Sequence, residues 1–227
     1  MIENQKSLAN IFENYSGSIA HKCEHYIEIY ERTFKHLRTR PINLLEIGVS
    51  KGGSLNIWRE YFHPDSAIVG IDINPECAVH NDPDSKIYAR IGKQQDKRFL
   101  DELVSEFGFF DVVIDDGSHQ MDHVISTFSH LFPKIPDSSI YLIEDMQCSY
   151  WPKFGGGLNA PGTVIEWAKK LVDLINIDYW RTEKQSELLE LKNQIKSIQF
   201  FNAIIVFEKG AHVSTRARKY GSHNPVR

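Results

Sequence analysis

Two clusters of acids each follow directly on a short β-branched run. Asp115-Asp116-Gly117-Ser118-His119 comes after Asp111-Val112-Val113-Ile114, and Glu144-Asp145 comes after Ile140-Tyr141-Leu142-Ile143. Such runs read as buried strands, and in a parallel α/β sheet both clusters emerge at the carboxyl edge, where these folds bind ligands. Four carboxylates and one imidazole are thereby expected in a single crevice. Like charges packed together are costly unless a cation or ligand neutralises them, and an oxygen-rich cluster suits a hard divalent metal. The expected chemistry is that of a magnesium-type centre.

The elements that must position these clusters alternate between strand and helix. A short helical phrase spans Leu8 to Tyr15, and a longer helical pattern, with Tyr26, Ile29, Tyr30 and Phe34 on its apolar face, runs from about Ser18 to Leu37. Pro41 closes it, because the residue before a proline avoids the helical region, and Ile42 to Ile47 is the first predicted strand. Gly48-Val49-Ser50-Lys51-Gly52-Gly53-Ser54 is a tight turn into a helix carrying Leu55, Ile57 and Trp58. Strands at Ala67 to Ile71 and Lys86 to Ala89 follow, then a helix around Asp101 to Phe107. The two acid-tipped strands come next, with a helix from Met121 to Leu131 between them. A helix from Thr163 to Leu174 and a polar helix near Glu183 to Ile195 precede a closing antiparallel pair, Ile198 to Phe201 and Ala203 to Glu208. The stripe Leu188, Leu191 and Ile195 reads as core packing. This alternation predicts a doubly wound, Rossmann-like, mostly parallel seven-stranded sheet with a C-terminal antiparallel hairpin. One domain is expected over 1–227, made of an N-terminal helical segment (1–40), a core (41–209) and a basic tail (210–227).

Between the second acid cluster and the next helix, Gln147 to Gly162 holds Tyr150, Trp151, Phe154 and three consecutive glycines. A loop this long, starting on an acidic cluster, is expected to be a lid or substrate wall, with Tyr150 and Trp151 either a stacking wall for a ring or anchors of the loop. His123 and His130 lack the spacing of a zinc helix and read as surface or packing residues, and His25, on a polar helix edge, reads as a solvated surface residue.

The first strand carries an acid, Glu46, and runs into glycines that let a ligand approach the backbone. Three residues rather than one separate Gly48 from Gly52, so the dinucleotide fingerprint is absent and nicotinamide binding is disfavoured. Asp72, at the end of the second strand, lies where such folds place an acid for ribose hydroxyls. Leu45-Glu46-Ile47-Gly48-Val49 with Gly52-Gly53-Ser54, Gly70-Ile71-Asp72, the Asp111 to His119 phrase, and Ile143-Glu144-Asp145 leading into Ser149-Tyr150-Trp151-Pro152 together resemble a family. It is that of the class I S-adenosylmethionine (SAM) methyltransferases, and within it the metal-dependent sugar O-methyltransferases of macrolide biosynthesis. The resemblance extends from about His25 to Lys209. It implies that Glu46, Gly48, Ser54, Asp72 and Asp115 bind SAM, that Gln94 and Asp96 lie near its adenine, and that Asp116, Glu144 and Asp145 hold Mg²⁺. It also implies His119 as general base, with Asp116 beside it in the catalytic group.

The chemistry agrees with that assignment. A neutral alcohol is a poor nucleophile, a divalent cation favours its ionised form, and an imidazole within reach can take the proton near pH 7. His119 stands three residues after Asp116, a spacing that can turn its ring to the same cavity. The expected reaction is methylation of a hydroxyl on a sugar or glycosylated small molecule. A catechol-like diol is the nearest alternative. A non-haem iron hydroxylase would need two histidines and one carboxylate, and a non-catalytic SAM-binding protein would not need Asp116, Glu144, Asp145 and His119 together.

Composition narrows the partners. A formal charge of -4 and a pI near 6.2 give no general attraction to nucleic acid, and the basic tail from Lys209 to Arg227 reads as a solvated terminus. Cys23, Cys77 and Cys148 have neither metal-ligand nor redox spacing, which suits a reducing cytoplasm. Met1 to Lys6 lacks the apolar core of a signal peptide, and no apolar run reaches the length of a membrane span. A cytoplasmic protein without membrane or nucleic-acid partners is expected, with homo-oligomerisation left open.

Overall fold

In the computed structural model, residues 6–181, 187–211 and 216–221 are described. Seven strands form one sheet in the order β3-β2-β1-β4-β5-β7-β6. These are β1 (Asn43–Ile47), β2 (Ala67–Asp72), β3 (Ile87–Ile91), β4 (Val112–Asp115), β5 (Ile140–Ile143), β6 (Ile195–Phe201) and β7 (Ile204–Lys209). The first five run parallel, while β7 pairs antiparallel with both β5 and β6. The chain order reverses between β1 and β4, so their carboxyl ends flank the crevice typical of open α/β sheets.

Strand alternation sorts the core into two layers. Leu44, Val112, Ile114 and Leu142 face α1 (Leu8–Asn14), α2 (Glu24–Phe34) and α3 (Gly53–Tyr61). Leu45, Ile47, Val113, Tyr141 and Ile143 face α4 (Lys97–Phe107), α5 (Met121–Leu131) and α6 (Val164–Ile175). The helix ends follow their capping residues. Asp96 accepts from the backbone N–H groups of Arg98 and Phe99 to start α4, and Thr163 accepts from that of Glu166 to start α6.

Two expected elements differ. The helix expected from Ser18 begins at Glu24, and the residues before it run without regular structure across the carboxyl edge. Gly53 permits this course, since a Cβ there would stand 2.3 Å from the Ser18 carbonyl oxygen and 2.5 Å from the Ala20 nitrogen. The polar helix expected near Glu183 to Ile195 is, where described, a single 3₁₀ turn over Glu187–Leu191. Ile195 already opens β6, opposite Lys209, so strand pairing overrides the local helical preference. The start of that expected helix and the Leu188 side chain lie outside the described residues, as does much of the expected basic tail. Leu191 and Ile195 are buried in the α4–α6 layer. Among the described residues, no helix is long and apolar enough to cross a membrane.

Candidate active site

The turn after β1 lies against the turn after β4. Gly48 has φ +98°, and a Cβ on it would sit 2.1 Å from the Asp116 carbonyl oxygen, so only glycine lets the two turns meet. Asp72 braces the same turn from β2. Its Oδ2 accepts from the backbone N–H groups of Val49 and Ser50, both at 2.9 Å, and its Oδ1 from that of Asn74 at 2.8 Å. Burial alone would raise this carboxyl, but those three N–H groups hold it below its ordinary range.

Gly48, Asp72 and Gly117 line two adjoining compartments of one cleft. The smaller, about 160 Å³, is walled by Ile47, Ile71, Ile73 and the turn Gly92–Gln95, and its rim includes His123. The larger, about 460 Å³, lies between the glycine turn, Ser54, the stretch Ile19 to Lys22, and Asp116, His119 and Asp145. An elongated ligand with a flat apolar end and a charged end fits this division.

Register explains which acids meet. Glu46 on β1, Asp116 after β4 and Glu144 after β5 share the parity of Leu44, Ile114 and Leu142, so all three point to the α1–α3 side. The Lys22 ammonium lies among them, 2.6 Å from Asp116 Oδ2, 2.9 Å from Glu144 Oε2 and 3.4 Å from Glu46 Oε1. Burial would lower that ammonium, but the Glu144, Asp116 and Glu46 carboxylates, with the buried Tyr30 hydroxyl, push it well above its ordinary range. Burial in turn pushes Glu144 and Glu46 up, with Lys22 acting against it. Glu46 Oε2 also accepts from the Ser54 hydroxyl at 2.8 Å.

Asp145 and His119 complete the edge. Tyr26 donates its hydroxyl to Asp145 Oδ1 at 2.8 Å, while His119 Nε2 lies 3.6 Å from Asp145 Oδ2 and 4.0 Å from Asp116 Oδ1. Both Asp145 and His119 adopt positive φ, 53° and 56°, a conformation that costs non-glycine residues roughly 1–3 kcal/mol and concentrates at functional sites. The His119 and Phe154 rings lie edge to face at 5.9 Å, and Trp151 follows at 6.1 Å from Phe154, while Tyr150 is half exposed.

Of the residues singled out in the sequence, the structure brings Gly48, Ser54, Asp72, Asp116, His119 and Asp145 to the larger compartment, with Glu46 and Glu144 buried beneath it. Asp115 does not join them. One residue out of phase with Asp116, it faces the α4–α6 side, where it is 1% exposed and accepts from Gln94 Nε2 (3.1 Å) and the Tyr141 hydroxyl (3.2 Å). Burial pushes its carboxyl up to about 7 despite those donors. Gln94 lines the smaller compartment, but its amide is occupied: it donates to Asp115 and accepts from the Ser118 N–H at 2.7 Å. Asp96 lies outside both compartments, its carboxylate spent on the α4 cap. His25 is exposed, with Nε2 at 3.1 Å from the Asn202 carbonyl oxygen. His130 pairs with Asp101 at 2.9 Å.

Lys22, Tyr26 and His123 are site residues the sequence did not disclose. His123 Nδ1 lies 2.9 Å from the Ser118 hydroxyl, which ties the α5 start to the cleft wall. Tyr26 was legible as a buried helix position, and a tyrosine there, rather than a leucine, signals a hydroxyl that needs a partner. Lys22 carries no local signal.

A divalent cation fits the residues present. One donor atom from each of Asp116, His119 and Asp145 lies within 4.8 Å of the others, and Glu144 Oε1 is buried without a hydrogen-bond partner. The Asp116 and Asp145 carboxylates are oxygen donors of the kind a hard divalent ion prefers. Glu144, expected as a third carboxylate ligand, gives Oε2 to Lys22 and keeps Oε1 without a partner.

No family model matches the chain. It is 33% identical over 195 residues, 82% of this chain and 49% of the relative, to the 8-demethyl-8-(2-methoxy-alpha-L-rhamnosyl)-tetracenomycin-C 3'-O-methyltransferase of Streptomyces olivaceus. It is 34% identical over 191 residues, 80% of this chain and 47% of the relative, to the mycinamicin VI 2''-O-methyltransferase of Micromonospora griseorubida. The solved structure of the MycE methyltransferase from the mycinamycin biosynthetic pathway, in complex with Mg, SAH and mycinamycin VI, superposes with a TM-score of 0.80 at 31% identity, over 91% of this chain and 54% of that one. The chain spans about half the length of the curated relatives it matches.

Proposed function

We propose that this chain is a natural-product sugar O-methyltransferase over the part of those relatives that it spans, and that it transfers the methyl group of SAM to a hydroxyl of a sugar or glycosylated small molecule. The observation that carries this reading is the continuity of the cleft, in which a compartment framed by Gly48 and Asp72 opens directly onto Asp116, His119 and Asp145. SAM would supply an electrophilic methyl group, and a divalent cation held by Asp116 and Asp145 would favour negative charge on the acceptor oxygen. Ile47, Ile71 and Ile73 offer apolar contact to a flat base, and the backbone of the glycine turn, braced by Asp72, leaves room for the rest of the cofactor. His119 would accept the acceptor's proton at Nε2, with Asp145 and Asp116 placed to stabilise the imidazolium that forms. The half-exposed Trp151, which reaches His119 through Phe154, would offer a flat apolar face to a sugar ring.

The test is methyl transfer from labelled SAM to a panel of rhamnosyl and other deoxysugar glycosides, free sugars and catechols, with Mg²⁺ or with EDTA. Mg²⁺-dependent labelling of a glycoside hydroxyl is expected. Labelling of catechols alone, or full activity in EDTA, would overturn the reading.

A further inference from the structure

We propose that Lys22 is a positioning residue of this site: its ammonium latches the irregular segment before α2 onto the three sheet-edge acids, so that the segment forms one wall of the cofactor cleft. The proposal rests on the reading of that cleft as the SAM site.

A lysine side chain only 4% exposed is rare unless its charge is matched, and here three carboxylates from three strands match it. The strand register makes this arrangement specific. Glu46, Asp116 and Glu144 share one face of the sheet, and without a cation between them they would be three crowded acids in repulsion, two of them buried. The acid nearest the chemistry divides its oxygens. Asp116 gives Oδ2 to Lys22 and leaves Oδ1 towards His119, so the lysine sets the angle at which the carboxylate faces the site. Glu144 is held the same way, by Oε2 at 2.9 Å.

The latch also has a backbone seat. Ser18, Ile19 and Ala20 lie against Gly53 at distances no other side chain would permit, which lays the segment over the first turn of α3. Ile19 to Lys22 then line the larger compartment opposite Asp116 and Asp145. Residues far from the glycine turn in sequence thus close the cleft, and a single ion-pair cluster holds them there. Lys22 is not placed to touch the transferred group. It acts through Asp116 and through the wall it anchors.

The experiment titrates S-adenosylhomocysteine (SAH) into wild type, Lys22→Met and Lys22→Arg, and follows amide hydrogen exchange over residues 15–23. Lys22→Met should weaken SAH at least about tenfold and accelerate exchange in 15–23 while the amides of β1, β4 and β5 stay protected; Lys22→Arg should recover part of both. Wild-type SAH affinity with unchanged exchange in Lys22→Met would overturn the proposal. Should Lys22→Met fail to fold, Gly53→Ala displaces the same segment without touching an acid, and it must weaken SAH likewise; unaltered affinity there overturns the proposal too. If wild type itself binds no SAH, the functional reading falls, and the exchange of 15–23 in the lysine variants still decides whether Lys22 is the latch.

Discussion

Asp115 and Asp116 are neighbours in sequence and both lie at the end of β4, yet they occupy opposite electrostatic worlds. Asp116 faces the α1–α3 side, beside an ammonium and near an imidazole, with two further acids of the same parity. Asp115 faces the α4–α6 side, where Gln94 and Tyr141 donate to it and, among the described residues, it forms no ion pair. The two faces solve the same problem differently. One neutralises buried carboxylates with a charge, and the other does so by favouring the protonated acid, which burial pushes up to about 7. The difference teaches that a pair of adjacent acids at a strand end is two separate sites, divided by the pleat. One is available to a ligand, and the other holds the loop that shapes the cleft.

The comparison is broken most severely from the Asp116 side. Asp116→Ala removes a donor to the cation and a partner of Lys22 together, and turnover should fall on the order of 10³- to 10⁵-fold, the several kcal/mol that such a site supplies. Asp145→Asn should lose Mg²⁺ binding in calorimetry while leaving the Lys22 cluster intact, since Asp145 does not touch the lysine. Retained Mg²⁺ affinity in Asp145→Asn would remove that carboxylate from the cation site. His119→Ala should cost roughly 10² to 10⁴ in single-turnover rate, with SAH and Mg²⁺ affinities little changed. A near-normal single-turnover rate in that variant would make His119 a packing partner of Phe154 instead of the base.

These outcomes bear on what the sequence made legible. The strands and the acids at their ends are legible in β-branched runs, and strand alternation carried past Ile114 separates Asp115 from Asp116. The glycine turn was legible because Gly48 answers to a positive φ and a close approach. Lys22 was not, since an irregular segment carries no period, and its three partners lie on or just after three strands that only the folded sheet aligns. The helix expected from Ser18 hid it further, by assigning that stretch a regular course it does not take. The polar run before β6 failed for a related reason, as pairing of Ile195 with Lys209 outweighed local preference.

The protonated side of the comparison is sharpened by Asp115→Asn. A carboxyl raised from its ordinary 3.8 to about 7 contributes stability that is fully present below the unfolded-state value and is lost as pH rises through the folded one. Wild type should therefore lose stability relative to Asp115→Asn between about pH 4 and pH 7. The difference should reach roughly 2–4 kcal/mol above that window, because the amide resembles the protonated acid and does not ionise. Urea unfolding of both proteins at several pH values measures it. A difference that does not change with pH would mean that Asp115 stays ionised, and that Gln94 and Tyr141 neutralise it by donation alone.

The smallest effect is expected at Asp96, an acid that belongs to neither face. It stands close after the turn that walls the smaller compartment, but its carboxylate points away from the cleft, to the free N–H groups of Arg98 and Phe99 at the start of α4. Those groups would otherwise be left to solvent, and replacing a capping aspartate by alanine typically costs about 1 kcal/mol. Asp96→Ala should lower unfolding stability by about that much and leave SAH affinity within twofold of wild type. The compartment next to it is shaped by Gln94, whose amide is held by Asp115 and Ser118 and does not depend on the cap. A marked loss of SAH affinity with unchanged stability would reverse the assignment: Asp96 would then turn from its cap to the cofactor on binding, and the division between acids that meet a ligand and acids that hold the scaffold would have to be drawn one residue further along the edge.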